Sequence, residues 1–308
     1  MSASFALALR AAHDAAAAQH YPKPALYMVA TPIGNLADIG LRALHVLSLA
    51  DAIACEDTRH TQGLLRAYGL DRPGLPLLAA HQHNEAEAAQ ALLARLQQGQ
   101  RVAYVSDAGT PALSDPGARL AAAAHAAGHP VVPLPGASSV TAALSVAGIA
   151  DDGGFVFAGF LPSKSGERDT AVQALAAEPR AVVLLEAPHR IEALARALAP
   201  LGARRLTLAR ELTKQFEEIA QLTAATLAGW LAEQPQRRRG EFVLVLHPAP
   251  PHAHDDVHDL RVLQLLLPEL PLKTAVRLAA EITGQARNAL YAQALRLRPQ
   301  ATDDGEKH

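Results

Sequence analysis

Arg101–Val105 (RVAYV), Ser106–Gly117 (SDAGTPALSDPG) and the alanine-rich run Ala118–Ala127 read in order as a strand, a stiff polar loop and a helix. Valine and tyrosine favour the pleated strand, and alanine favours the helix. Between them, Asp107, Asp115, Gly109, Gly117, Pro111 and Pro116 fall within one short loop. Proline stiffens such a turn and glycine lets its backbone approach a ligand closely. The loop can therefore offer backbone N–H groups, carbonyls and a carboxylate to a small zwitterionic ligand. Asp115 also suits the N-cap of the following helix.

The same alternation of short strands and helices extends outward on both sides, which marks an α/β domain with a largely parallel sheet. Strands are expected at Leu26–Ala30, Asp51–Cys55, Leu75–Ala79, Arg101–Val105 and Val131–Leu134. Helices are expected at Leu41–Leu49, Glu85–Gln98 and Ala118–Ala127. After the turn Pro133–Val140 and a helix at Thr141–Gly148, a second α/β unit begins. Its strands are expected at Phe155–Phe160, Ala181–Leu185, Leu206–Arg210 and Phe242–Leu246, with helices around Ala171–Ala176 and Ile191–Leu198. The run HPAPPHAHDDVHD at 247–259 has no periodicity and reads as a linker whose His252 and His254 are solvated. The expected domains are thus an extension (1–25), two α/β domains (26–136 and 137–247), a linker (248–257), a helical domain (258–298) and a tail (299–308).

Composition narrows the classes. Half of the 308 residues are hydrophobic, enough for a substantial core. A net charge of −2 excludes a protein coated in basic surface, so any nucleic-acid contact must be a local patch. One such patch is the stretch 261–298, where Arg261, Lys273, Arg277, Arg287, Arg296 and Arg298 outnumber Glu269 and Glu281. There Ala280 precedes Gly284 by four residues, with Leu278, Ile282, Ala289, Leu290 and Leu295 as apolar positions, the spacing of a helix-turn-helix. A plain helical hairpin would show the same pattern, and the basic surplus favours nucleic acid. The single cysteine, Cys55, fits a reducing cytosol. No apolar run reaches the roughly 18 residues of a membrane span. The N-terminus, interrupted by Arg10, His13 and Asp14, reads as a poorly ordered or helical extension and not as a signal peptide.

Two more loops follow strand ends. Ala30–Asp38 carries Pro32, Gly34 and Asn35 but neither a dinucleotide fingerprint nor a phosphate loop. Pro133–Ser139, with Gly136 and Ser138, joins the two α/β units, so a ligand there would be held by both. The segment His81–Asn84 offers an HxH pair, yet no third metal ligand follows at suitable spacing. His83 and Asn84 are expected near RNA or as helix caps.

The motifs PIGNLAD (Pro32–Asp38), CEDTRHT (Cys55–Thr61), SDAGTPALSDPG, PLPGASSV (Pro133–Val140), GFLPSKSGER (Gly159–Arg168), LEAPHR (Leu185–Arg190) and ARELTKQFEE (Ala209–Glu218) together resemble the tetrapyrrole methylase superfamily. Within it the resemblance is to the branch of small-subunit ribosomal RNA methyltransferases, and it runs from about Leu26 to Leu246, with the helical end resembling that branch's helix-turn-helix. The resemblance implies a two-domain α/β enzyme, dimeric, with S-adenosylmethionine in the interdomain cleft. It further implies methylation of the 2′-hydroxyl of a cytidine in the decoding region of 16S ribosomal RNA, in the cytoplasm, on the RNA or the small-subunit particle. By the same resemblance, Pro32, Gly34, Asn35, Asp107, Gly109, Thr110, Pro111, Ser138, Phe157, Ala187, Glu211 and Gly240 are expected at the cofactor.

Such a reaction requires in-line alignment and removal of a proton from a weak acid. Orientation can recover roughly 7–11 kcal/mol, whereas a general base adds about 10²–10⁴-fold. Asp57 and Arg59, after the second strand, and Glu211 and Lys214, at the end of a strand of the second unit, are the catalytic candidates. Their plainer readings are an N-cap at Asp57 and a surface ion pair between Glu211 and Lys214. Lys164, Arg190, Arg237, Arg238, Arg239 and Arg287 are expected to contact RNA phosphates. The competing readings are a methylase of a tetrapyrrole precursor, which needs no basic helical appendage, and a non-catalytic RNA-binding assembly factor.

Overall fold

A computed structural model describes residues 5–81, 83–150, 153–249, 256–283 and 287–297, and no helix among them is long and apolar enough to cross a membrane. The chain forms two compact units, Met1–Leu175 with Arg180–His247, and Ala176–Pro179 with Pro248–His308.

In the first unit, five short aliphatic runs become strands: β1 (Ala25–Val29), β2 (Ala52–Cys55), β3 (Leu77–Ala79), β4 (Arg101–Val105) and β5 (Val131–Leu134). They form a parallel sheet in the order β3-β2-β4-β1-β5. Around it lie α1 (Ala6–Ala16), α2 (Leu41–Leu49), α3 (Thr58–Tyr68), α4 (Glu85–Gln97) and α5 (Gly117–Ala126). Alternation sends Tyr27, Val29 and Ile53 into a core with Leu44, Leu47, Leu65 and Tyr68, and Leu26, Ala54 and Tyr104 into a second core with Leu92, Leu96 and Leu120. Burial on both faces explains why these strands are almost wholly apolar, with Arg101 only at the half-buried first position of β4. The N-terminal extension is a packed helix: Ala12 and Ala16 are 1% exposed, and Phe5 meets Tyr68 edge-on with ring centroids 4.9 Å apart.

Register determines where the loops emerge. Val29 lies opposite both Val105 and Leu134, and Cys55 lies opposite Val105. The loops after β1, β2, β4 and β5 therefore leave one edge of the sheet at the same level, the carboxyl edge where open α/β sheets bind ligands.

α6 (Ser139–Ala147) crosses to a second sheet built from β6 (Phe155–Gly159), β7 (Ala181–Glu186), β8 (Arg205–Arg210), β9 (Glu218–Thr223) and β10 (Phe242–Leu246), in the order β6-β7-β10-β8-β9. Only β6 and β7 run parallel. The edge strand β9 is an addition to the four strands expected from sequence. Val140, Ala143 and Ala147 of α6 cover one face. The other face carries α7 (Ser165–Ala176), α8 (Ile191–Leu198) and α9 (Leu227–Glu233) over Leu184, Leu206, Leu208 and Leu244.

The second unit holds α10 (Asp256–Leu266), α11 (Leu272–Thr283) and α12 (Arg287–Leu297). Its core is Leu263, Val276, Ala279, Leu290 and Ala294. Ile282 and Leu295, expected in the apolar stripe, are exposed, because the smaller Ala279 and Ala294 take the helix contacts. Gly284, His252, His254 and Arg298 lie outside the described residues.

Candidate active site

At the carboxyl edge of the first sheet, the loops press against one end of the second sheet around a cavity of about 470 Å³. Ile33 comes from the loop after β1, Glu56 from the end of β2, and Ser106–Ala108 with Leu113–Asp115 from the loop after β4. The second sheet contributes Leu185–Pro188, Ala209, Leu212 and Glu241–Val243, while Ser139 and Phe160 complete the wall. Glu186 and Arg210 reach this end together because both lie opposite Phe242 in the sheet register.

The lining is electrostatically one-sided. Glu56, Asp107, Asp115, Glu186 and Glu241 line the cavity, and no lysine, arginine or histidine does so among the described residues. Glu186 is only 2% exposed. Its Oε1 accepts from the Ala187 backbone at 2.9 Å and pairs with Arg190 Nε at 3.0 Å, whereas Oε2 is buried without a hydrogen-bond partner. Burial raises the Glu56 carboxyl above its ordinary range; the hydrogen bond from the Asp107 N–H opposes this, and the charges of Asp107 and Asp115 reinforce it. Burial also pushes the Tyr104 hydroxyl far up, helped by the Asp115 charge, so Tyr104 stays neutral and donates to Asp115 Oδ1 at 3.0 Å. A concave site rich in carboxylates and walled by Ile33, Leu113, Phe160, Leu185, Leu212 and Phe242 suits a cationic ligand with apolar surface.

The loop after β4 is tied from several sides. Thr31 and Gly109 exchange backbone hydrogen bonds at 3.0 and 3.1 Å, Thr31 Oγ1 donates to the Ser106 carbonyl, and Thr110 Oγ1 donates to the Ala137 carbonyl. Asp115 Oδ1 accepts from the N–H groups of Ala112 and Gly117. These ties hold Ala112 and Ser114 at φ 71° and 72°, a left-handed backbone that a non-glycine residue adopts only under constraint.

The loop after β8 is held in the same way. Glu211 and Thr213 have φ 52° and 66°. Lys214 Nζ donates to Glu211 Oε1 and Glu241 Oε2, each at 2.9 Å, and Glu211 Oε1 also accepts from the Glu241 N–H. Burial alone would lower the Lys214 pKa, but the two carboxylate bonds outweigh it and raise it, so the ammonium persists. Burial alone would likewise raise Glu211, yet the Glu241 N–H and Lys214 lower it. Gly34 is required here: a Cβ at this position would collide with Lys214 Cγ and stand 3.0 Å from Thr213 Oγ1. The loop after β1 thus rests directly on the Lys214 stem.

A family model described as Tetrapyrrole (Corrin/Porphyrin) Methylases matches residues 25–228. The chain belongs to this family. The model described as RsmI C-terminal HTH domain matches residues 253–298 of the methylase. Ribosomal RNA small subunit methyltransferase I of Pseudomonas aeruginosa is 49% identical over 275 residues, covering 88% of this chain and 96% of that protein. Among solved structures, the methyltransferase CobJ aligns with TM-score 0.55 at 19% identity, covering 73% of this chain and 94% of that chain. A Thermus thermophilus uroporphyrin-III C-methyl transferase complexed with S-adenyl homocysteine aligns with TM-score 0.51 at 20% identity, covering 72% and 96%. Both share the fold of the methylase.

Against this geometry, the residues expected from sequence separate into groups. Of the cofactor candidates, Asp107 and Ala187 line the cavity of the methylase itself. Gly109 and Thr110 brace its loop, and Glu211 anchors Lys214. Gly34 receives the Lys214 stem, and Gly240 lies against Glu211. Asn35 Oδ1 is spent on the Ala37 N–H, capping a turn. Pro32 and Ser138 stand beside lining residues without lining the cavity, Pro111 does not line it either, and Phe157 lines the neighbouring hollow.

Asp57 is taken up as the N-cap of α3: its Oδ1 accepts from Arg59 and His60 N–H at 2.7 and 3.2 Å, and those bonds, His60's first, lower its pKa. The adjacent Glu56 is the carboxylate that faces the cavity, while Arg59 is exposed on the first turn of α3. Burial decides which arginines remain available. Arg190 is turned inward onto Glu186 and the Leu161 carbonyl. Arg237, 14% exposed in its side chain, pairs with Glu218 and Glu233 and stacks on Trp230 at 4.0 Å. Arg238 is half-buried against Glu192 and the Leu231 carbonyl. These three fasten the fold, which a run of arginines does not reveal by itself. Lys164, Arg239 and Arg287 stay exposed. Asn84 closes its turn by accepting from the His81 N–H and donating to the Ala79 carbonyl.

Proposed function

We propose that this protein transfers the methyl group of S-adenosylmethionine to the 2′-hydroxyl of a cytidine in the decoding region of 16S ribosomal RNA. The observation that carries the reading is the cavity lined by five carboxylates and, among the described residues, by no basic side chain, set where the loops of both sheets meet. Its chemistry fits a donor bearing an ammonium and a sulfonium. The names of relatives at nearly half identity, and the helix-turn-helix match at residues 253–298, favour ribosomal RNA over a tetrapyrrole as acceptor. A neighbour of the same fold described as complexed with S-adenyl homocysteine agrees with the choice of donor.

When bound, S-adenosylmethionine supplies an activated methyl group. Glu186, with an unsatisfied buried oxygen, and Asp107 compensate the donor's positive charge. Glu56, whose carboxyl is raised, takes the place of Asp57 as the group that accepts the hydroxyl proton. Lys214, kept charged and stretched between Glu211 and Glu241, orients the ribose and opposes negative charge growing on its oxygen. In this scheme residues 26–136 and 137–247 are the two donor-gripping domains, and 258–298, with Lys164, Arg239 and Arg287, holds the RNA.

The test is methyl transfer from tritiated donor to small-subunit particles isolated from cells lacking this protein, or in parallel to a tetrapyrrole precursor, with nuclease digestion and mass analysis of the RNA product. Recovery of 2′-O-methylcytidine is expected. Label in a tetrapyrrole instead, or donor binding with no transfer to RNA or particle, overturns the reading.

A further inference from the structure

A second hollow of about 700 Å³ opens beside the carboxylate cavity and shares Ser114, Asp115 and Phe160 with it. The shared residues set the two spaces side by side. Phe160 stands at their junction and is 51% exposed. Its position is built and not incidental. The pairing of β6 with β7 shifts register between Phe157 and Gly159, a bulge of the kind that re-aims a side chain near an active site. Gly159 sits at φ 61°, and a Cβ there would lie 3.7 Å from Ser114 Oγ, on the strained loop of the first sheet. Across the hollow, Arg119 on the first turn of α5 pairs with Glu85, while its side chain remains 74% exposed. Glu85, at 15%, anchors that guanidinium and leaves most of it facing solvent.

We propose that Phe160 is the platform on which the target base stacks after leaving its neighbours in the RNA, and that Arg119 beside it holds an adjoining phosphate. Single-stranded RNA is recognised by splayed bases stacked on aromatic rings, and a guanidinium matches a phosphate bidentately. A base on Phe160 would place its own ribose at the mouth of the carboxylate cavity, as a 2′-hydroxyl acceptor requires. This inference rests on the reading of the cavity as the donor site.

The experiment uses the full chain with Phe160→Leu, Phe160→Trp and Arg119→Gln. Donor affinity is read by equilibrium dialysis, and methyl transfer is read with small-subunit particles. In a separate arm, the parent protein is irradiated with a single-stranded oligoribonucleotide carrying 5-iodocytidine, and the adduct is mapped by peptide mass analysis. Phe160→Leu keeps an apolar wall but loses the ring face, so it should lose roughly 5- to 150-fold in kcat/KM for the particle, the equivalent of one stacked base, a loss well beyond any change in donor affinity. Phe160→Trp should restore most of the loss. Arg119→Gln should reduce the salt slope of particle binding by about one. The adduct should map to Phe160. Parent-like kcat/KM in Phe160→Leu, or an adduct elsewhere, overturns the platform. If the parent methylates no particle but still cross-links at Phe160, the platform stands and the acceptor assignment falls.

Discussion

Asp107 and Lys214 represent two kinds of residue at one site, and their variants should separate binding from turnover. Asp107 lines the cavity, and its Oδ1 accepts from the Asp57 N–H at 3.3 Å. Lys214 instead spans Glu211 and Glu241 on a loop of the other sheet. Asp107→Ala should weaken donor affinity roughly 10- to 150-fold, the range for hydrogen bonds to charged groups. Lys214→Ala should leave donor affinity near the parent value and lower kcat about 10²–10³-fold, as removal of one preorganised donor does. Calorimetric donor titration beside single-turnover transfer checks both, and unchanged affinity in Asp107→Ala would remove that loop from the donor site. Glu56 supplies a pH-dependent counterpart. Its carboxyl lies above the ordinary 4.5 in the folded protein, so the native state binds the proton more tightly than the unfolded chain. The protonated form's contribution to stability is complete below pH 4.5 and is lost as pH rises through the folded value. Glu56→Gln, which keeps an oxygen for the Asp107 N–H, should therefore melt higher than the parent at pH 7, with the gap closing towards pH 4.5, while transfer falls about 10²–10⁴-fold. Thermal melts across that range, with the gap widening on acidification, would contradict the assignment.

The loops after β4 and β8 hold all four of the described non-glycine residues with positive φ: Ala112, Ser114, Glu211 and Thr213. Left-handed backbone costs a non-glycine residue about 1–3 kcal/mol, and here the hydrogen bonds of Asp115 and Lys214 offset it. Ala112→Gly should accordingly leave the melting temperature unchanged or raise it, since relief of strain opposes glycine's added chain entropy of roughly 0.5–1 kcal/mol. It should weaken donor binding, because a looser loop must be ordered when the donor arrives. A clear drop in melting temperature would show that the loop is not strained at this residue. The same loops mark the boundary of what sequence can reveal. Periodic elements are legible: β1, β2, β4 and β5 begin and end within one residue of the expected limits, and α8 coincides with its expected range. The edge strand β9 escapes a reading by pattern because Ile219 is exposed and the inward side, with Glu218, Ala220 and Leu222, is only partly buried. α3 hides inside a motif whose polar residues draw the eye, although Thr61, Leu65 and Tyr68 form its buried face. Within non-repetitive loops no period tells which side chain faces inward. Glu56 and Asp57 are adjacent, yet one lines the cavity and the other caps a helix. Glu186 stands in the sequence as one letter of a motif, and a buried carboxylate with a free oxygen becomes evident only once Phe242 and Glu186 are paired in the sheet.

At the scale of the whole chain, charge is sorted by task. A net of −2 conceals an acidic cavity in the first unit and a basic surplus confined to residues 261–298, where Arg277 pairs with Glu281 at 3.0 Å and Arg287 approaches the same carboxylate at 3.9 Å. An acidic site repels phosphates, so an RNA substrate needs attraction supplied from elsewhere in the chain. The helical unit has its own core around Leu263, Val276 and Leu290, and the two sheets have theirs, so removal of one should not unfold the other. Deleting residues 258–308 should therefore preserve donor affinity and weaken particle binding, and every phosphate that the helices would have neutralised should take about 0.7–0.9 off the salt slope. Binding isotherms at several salt concentrations measure that slope directly. If the truncated protein bound donor normally and kept the full slope, the attraction would have to arise on the α/β unit, from Lys164 and Arg239, and the helices would be scaffolding. If the slope collapsed while donor affinity held, the division of labour between an anionic pocket for the donor and a cationic surface for the acceptor would be established by two independent measurements on one variant.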